Sequence, residues 1–502
     1  MLLRRVAARA VALALAFSPC VNALPTPADS SKPRSDALAW NKSGSEKYTK
    51  GDLDGAIADY DQAILLNPKL AKAYYNRGLA KYDKGTLVEA IADYDEAIKL
   101  NPRYEDAFVN RAMAKDENDD IAGAIADDTQ AIKLDPTDPY PYNNRGWSHY
   151  RKGEMAAAMA DYNQAIKLNP DLAQPYNDRG IAEREQGDIA KAVADYNHAI
   201  KLDPDDDQAY YNRAIAKDDS GDTAGAIADY TEAIRIDPKY TNAYLNRAEL
   251  KANKNDWEGA LADYNRAIDL SPKSASYNDR GLVWYHKGDD RAALADYNRA
   301  LKLEPRNADA YNNRGNIERL EGNLDTAFTD YTLAILIDPK STSAFNDRGV
   351  IKQARHDYAG AKADYLEALK QDAENAEADS NLSSLAEAQG DYATAIRYAN
   401  RALAIAPTFA QAYNNRGVAE FRKHDLTAAL ADYDAALQCD PDDEHAYNNR
   451  GLALAQKGDL EGALADYDLA IQIDPKFVLA QRNRGWVKWA QGDILGALAD
   501  LW

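Results

Sequence analysis

The side chains best placed to do chemistry in this 502-residue chain are amides. Asn76, Asn110, Asn144, Asn212, Asn246, Asn313, Asn381, Asn415, Asn449 and Asn483 recur at steps of 34 residues or its double, with a single step of 67. Asp178, Asp279 and Asp347 hold the same register, and Lys42 opens the series. A primary amide carries both donors and an acceptor, so it matches the N–H and C=O of a peptide group. Each such bond contributes only about 0.5–1.5 kcal/mol net. Several rungs are therefore needed to offset the ordering of a flexible ligand. The competing reading is that these amides bond neighbouring helices or simply belong to the repeat.

Catalytic chemistry is not visible. The six histidines are scattered over different positions of the period and have no metal-ligand spacing. There is no phosphate-binding glycine loop and no nucleophile motif in context. The acid runs Asp116–Asp120 and Asp203–Asp207 lack the EF-hand pattern and read as solvated turns. The chain therefore reads as a non-enzyme with no cofactor and no metal. A formal net charge of -21 opposes binding to nucleic acid, whose phosphates it would repel. The expected partner is a protein or peptide, with no small-molecule cofactor.

A ruler of prolines sets the frame that must position the amides. Pro68, Pro102, Pro136, Pro170, Pro204, Pro238 and Pro272 are 34 residues apart, and the series runs on through Pro305, Pro339, Pro407, Pro441 and Pro475. Ala373 takes the skipped beat between Pro339 and Pro407. A fixed period of this length marks stacked repeats. In the repeat Ala71–Tyr104, apolar and small residues follow helical spacing in two stretches separated by Gly85. Asn101-Pro102 closes the second stretch, because the residue before proline is steered away from helix. Each repeat is thus two antiparallel helices of about 13 residues, too short to be stable without stacking on neighbours. Alanines recur at two sites, with Ala90 and Ala97 as examples, where methyl-sized side chains let helix backbones approach.

These repeats resemble tetratricopeptide repeats. The resemblance spans residues 37–502 in about fourteen repeats, the last incomplete. It implies an all-α, right-handed superhelical solenoid with a concave groove. It also implies that the asparagine position lines that groove. The ladder is similar to the superhelix of O-GlcNAc transferases, in which asparagine amides grip an extended peptide, so the ten asparagines are the expected peptide-binding residues. Variable residues of the first helices, namely Trp147, Tyr150, Tyr285, Phe421, Trp486 and Trp489, are the expected groove specificity residues. Trp486 and Trp489 lie three apart and share a helix face, where they either anchor a ligand or cover the last repeat. The chain stops inside the second helix of that repeat, and the apolar end is a candidate surface for homo-oligomer formation.

The departure from the family is informative. Where leucine is preferred before the small residue, this chain places Arg77, Arg111, Arg145 and their successors, and the second helix carries a matching Asp93, Asp127 and Asp161. In one internal repeat both members change together, to Leu382 and Tyr398. That joint loss predicts an ion pair within each repeat. The same repeat has Asp379 where an aromatic is usual and Ala399 in place of tyrosine, so residues 376–409 are expected to form a hinge.

The opening MLLRRVAARAVALALAFSPCVNALPTP has the charged, apolar and small-residue order of a secretory signal peptide, cleaved near Ala23. A mitochondrial presequence, an uncleaved anchor and a lipoprotein signal at Cys20 are the competing readings. Residues 24–36 are Pro/Ser-rich and read as a flexible linker. A periplasmic or secreted location follows. After cleavage Cys439 is the one remaining cysteine, expected as a small buried hydrophobe. The functional expectation is a protein-interaction scaffold. A self-associating envelope component and a regulatory subunit of an enzyme complex are the alternatives.

Overall fold

The computed structural model describes residues 32–501, with side chains placed from Ser35 to Asp500. The expected signal peptide, Cys20 and residues 24–31 lie outside the described residues. Helix α1 (Lys32–Thr49) starts inside the stretch read as a linker. From it to α28 (Ile494–Leu501) the described residues form 28 α-helices in consecutive pairs, with no strand among them. The chain divides into two compact units, residues 1–250 and residues 251–502. Within each unit successive helices pack together, and first helices of adjacent repeats also touch.

One repeat explains the rest. Helix α3 (Ala71–Lys84) ends at Gly85, whose φ of 84° is left-handed and favours glycine. Helix α4 (Leu87–Leu100) ends at Asn101, in extended backbone before Pro102. Several second helices open on an aspartate cap; the Asp120 carboxylate, for example, accepts from the Gly123 N–H.

Alanine sets how closely the two helices cross. Ala90 and Ala97 are fully buried, and so are their counterparts in every described repeat. Beside them Gly78 faces Tyr94, and a Cβ on that glycine would come within 2.7 Å of the tyrosine ring. The tyrosine is itself fully buried, so the glycine makes room for the largest side chain of the core. Both residues change in the third repeat, to Ala112 and Asp128. Burial raises the Asp128 carboxyl well above the ordinary carboxylate range.

One expectation is corrected. Cys439 is exposed, because it occupies the last residue of its helix at the solvent rim, where Leu100 is only half-buried. The repeat that carries Asp379 packs differently from its neighbours. Leu382 and Leu385 are buried against Ala361 and Tyr365, with Tyr398 alongside, so apolar contact replaces the ion pair. Asp379 is wholly buried and lies 3.4 Å from the Arg401 guanidinium.

Candidate peptide-binding face

The residue after each ladder position fixes the helix that carries it. Arg450 sends Nε to Asp466 Oδ2 at 2.8 Å and Nη2 to Asp466 Oδ1 at 2.7 Å, both within one repeat. Its third nitrogen, Nη1, reaches back 2.7 Å to Asp434 on the preceding repeat. The guanidinium also lies over the Tyr447 ring, 5.4 Å from its centre. Two-pronged pairs of this kind recur from Arg77–Asp93 through Arg348–Asp364 to Arg484–Asp500. The predicted pairing within repeats is therefore present, and in most repeats the same arginine also reaches the preceding one, as Arg77, Arg111 and Arg484 do. At Asp59 in the first repeat, Ser43 and Lys47 stand in for the arginine.

The ladder asparagines bond across repeats. Asn483 donates Nδ2 to Asn448 Oδ1 at 2.8 Å, and Asn449 donates to Asn414 Oδ1 at 3.0 Å. Asn212 donates to Asn177 at 2.9 Å and Asn313 to Asn278 at 3.0 Å. Tyrosine hydroxyls receive Asn110 (Tyr75, 3.1 Å) and Asn246 (Tyr211, 3.2 Å). Asn76 donates to Asn41, and Asn415 to Ser380. Each acceptor stands 35 residues earlier, immediately before the ladder position of the preceding repeat. Those acceptors are the members of the site that sequence reading overlooked. Their signal was present in the Asn-Asn doublets at 414–415 and 448–449.

Most rungs therefore use the amide nitrogen and leave the oxygen, while the Asn449 Oδ1 accepts from Asn448 Nδ2 at 3.3 Å. Among the described residues, Oδ1 of Asn110, Asn212, Asn246, Asn313, Asn415 and Asn483 accepts no hydrogen bond from the protein, and these side chains are partly exposed. Asn144 and Asn381 do not make the rung. In the fourth repeat the preceding residue, Asn143, donates instead, to Asp178 at 2.9 Å. Burial raises the Asp178 carboxyl to about 6, against hydrogen bonds from Asn143 and Gln174 that lower it. Burial likewise raises Asp347, in the same register, to about 7.

The expected specificity residues sit in two environments. Trp147 and Tyr150 lie with ring centres 5.4 Å apart. Tyr150, Tyr285 and Phe421 are half-buried and pack against the hydrophobic clusters between repeats. Trp486 and Trp489 are 60 % and 53 % exposed, and Leu495 on the last helix is 82 % exposed. Among the described residues no group of three or more His, Cys, Asp or Glu side chains is arranged to hold a metal ion. No helix among them is long and apolar enough to cross a membrane.

A family model described as TPR repeat matches residues 44–85, 180–217 and 281–317. Models described as Tetratricopeptide repeat match 214–275, 245–297, 346–408, 407–444 and 415–476, then 71–104 and 139–172, and finally 308–341. No curated protein is significantly similar to the chain in sequence. Among solved structures, the APC/C hetero-tetramer Cut9-Hcn1 contains a chain 13 % identical to this one, with a TM-score of 0.52 over 91 % of this chain and 98 % of that one. Yeast Tom70 is 17 % identical over 92 % of this chain and 96 % of that one, with a TM-score of 0.37. A tetratricopeptide repeat protein from Parabacteroides merdae is 19 % identical over 49 % of this chain and 98 % of that one, with a TM-score of 0.42. At these identities the likeness concerns the fold. The recurring helix pairs, the buried alanines at each crossing and family matches spread from residue 44 to residue 476 show that the chain belongs to the tetratricopeptide repeat family.

Proposed function

We propose that the chain is a non-catalytic protein-interaction scaffold whose asparagine ladder holds an extended segment of a partner protein. Family membership supports the scaffold role. One observation carries the finer reading: the rungs at Asn110, Asn212, Asn246, Asn313, Asn415 and Asn483 anchor an amide through Nδ2 and leave Oδ1 without a protein donor. Such a row is a set of oriented acceptors on six of the repeats, suited to backbone N–H groups of an extended segment. Anchoring beforehand lowers the ordering cost of binding. Trp147 and Tyr150 would add side-chain selectivity beside Asn144.

Affinity capture with the full-length protein, read by mass spectrometry, supplies the partner. The triple variant Asn212→Ala, Asn246→Ala, Asn313→Ala then tests the ladder. Loss of capture with the fold intact supports the proposal, and unchanged capture by the folded variant rejects it.

A second reading rests on a separate observation, the exposure of Trp486, Trp489, Ile494 and Leu495 at the last repeat. Self-association through that face would make the protein a structural component. Sedimentation of Trp486→Ser/Trp489→Ser against the wild type decides it. We also propose a periplasmic or secreted location, tested by N-terminal sequencing of exported protein for a start at Leu24.

A further inference from the structure

Two positions 32 residues apart form a pair whose chemistry changes along the array. Tyr240 donates its hydroxyl to Gln208 Oε1 at 3.0 Å across one such pair. In the corresponding places His445 meets Phe477 edge to face, with ring centres 4.8 Å apart. Glu377 and Phe409 occupy the same two places in the repeat that breaks the ladder. There the aromatic has no hydroxyl to donate, and its polar counterpart is an acid. Glu377 is exposed, and among the described residues it makes no hydrogen bond or ion pair.

Glu377 and Phe409 line one open cavity of about 470 Å³, together with Ala376, Ala406, Thr408 and Gln411. Glu377 is the one charged residue of that lining. Desolvation raises its carboxyl, and the Arg319 guanidinium, from outside the cavity, opposes the rise. Arg319 is engaged elsewhere: Nε donates to the Tyr331 hydroxyl at 3.4 Å, and Nη2 lies 3.9 Å from Asp347. His356 lines the neighbouring cavity that shares Gln411, and its Nδ1 stands 3.0 Å from the Tyr358 hydroxyl. Glu377 lies one helical turn before Asn381, and Gln411 one turn before Asn415, so the cavity adjoins the ladder.

Resting on the reading of the ladder as a peptide-binding face, we propose that this cavity receives a cationic side chain, lysine or arginine, of the bound segment. Its charge meets the accessible Glu377 carboxylate, and its methylenes lie along the Phe409 ring. An acidic side chain is repelled by Glu377 and by a net charge of -21. A purely apolar one would desolvate the carboxylate without pairing it.

The test selects a random displayed peptide library on the full-length protein. Selected peptides are expected to share one position held by Lys or Arg. Changing that residue to Met in a synthetic peptide should weaken binding about fivefold at low salt, and the loss should shrink as salt rises. In the Glu377→Gln protein the difference should vanish, and Glu377→Lys should move the preference to Asp or Glu. Both variants change an exposed, unpaired side chain and keep the fold. Asn415→Ala should instead weaken all peptides and keep the difference. Selected peptides with no shared cationic position, or a preference that survives Glu377→Gln, overturn this inference and leave the ladder standing. A library that yields no binder overturns both.

Discussion

Arg314 grips Asp330 with two nitrogens, Nε at 2.8 Å and Nη2 at 2.7 Å, while Nη1 reaches 2.7 Å to Asn298 on the preceding repeat. Asp330 is 2 % exposed, so its charge is balanced almost entirely by this one guanidinium. Replacing Arg314 with Leu strands the carboxylate and should cost about 3 kcal/mol locally. Adding Asp330→Tyr reproduces the Leu382/Tyr398 arrangement and should recover part of that loss. Denaturant midpoints of the wild type, both single variants and the double variant check it, and strictly additive losses would refute the pairing.

A rung contributes less than an ion pair. Asn483→Ala removes one bond to Asn448, at 2.8 Å, and should destabilise the last repeats by about 1 kcal/mol. Asn144→Ala, which breaks no rung, should leave stability unchanged. A pair of melting curves separates the two. If the ladder is purely structural, no Asn→Ala variant will change binding beyond its effect on stability.

Glu183 stands where Lys81, Lys217 and Lys251 pair with an aspartate in other repeats, and it faces Asp195 instead. Burial first, and then the Asp195 charge, raises its carboxyl to about 7. The folded state therefore binds more protons than the unfolded state between the ordinary carboxylate range and pH 7. Stability should accordingly fall as pH rises through that window. Glu183→Lys should remove its share of the slope, leaving that of Asp178 and Asp347, and stabilise the protein at pH 8 by roughly 1–2 kcal/mol. Thermal melts at pH 5 and pH 8 read the sign; equal pH dependence in variant and wild type would reject the assignment.

Gly315 faces Tyr331 as Gly78 faces Tyr94, and a Cβ there would come within 2.8 Å of the ring. Gly315→Val should overpack the crossing and cost about 1–3 kcal/mol. Gly315→Ala should cost less, because Ala214 already faces the buried Tyr230 in an equivalent place. A valine variant as stable as the wild type would show that the crossing yields.

We propose that residues 376–409 open before their neighbours. The repeat is densely packed, but it has lost the Arg–Asp clamp and the rung to the preceding repeat, and it buries Asp379. Amide hydrogen exchange across α21 (Ala376–Ala388) and α22 (Tyr392–Ile405) should be faster than in the flanking helices. Equal protection would remove the hinge.

Much of this protein is legible along the chain, since a 34-residue period repeats the same local problem and aligns the chain with itself. The helix pairs, the alanine crossings and the Arg–Asp pairs all follow from that alignment, because each depends on contacts within one repeat or on a site that every repeat shares. The tertiary structure alone decided what the repeats do to one another. Whether an asparagine points its amide at the preceding repeat depends on the approach of helices 35 residues apart, which no local propensity encodes. Stacking at that distance turned a row of amides into rungs with their oxygens unspent, and left one rung, at Asn346 and Asn381, unmade.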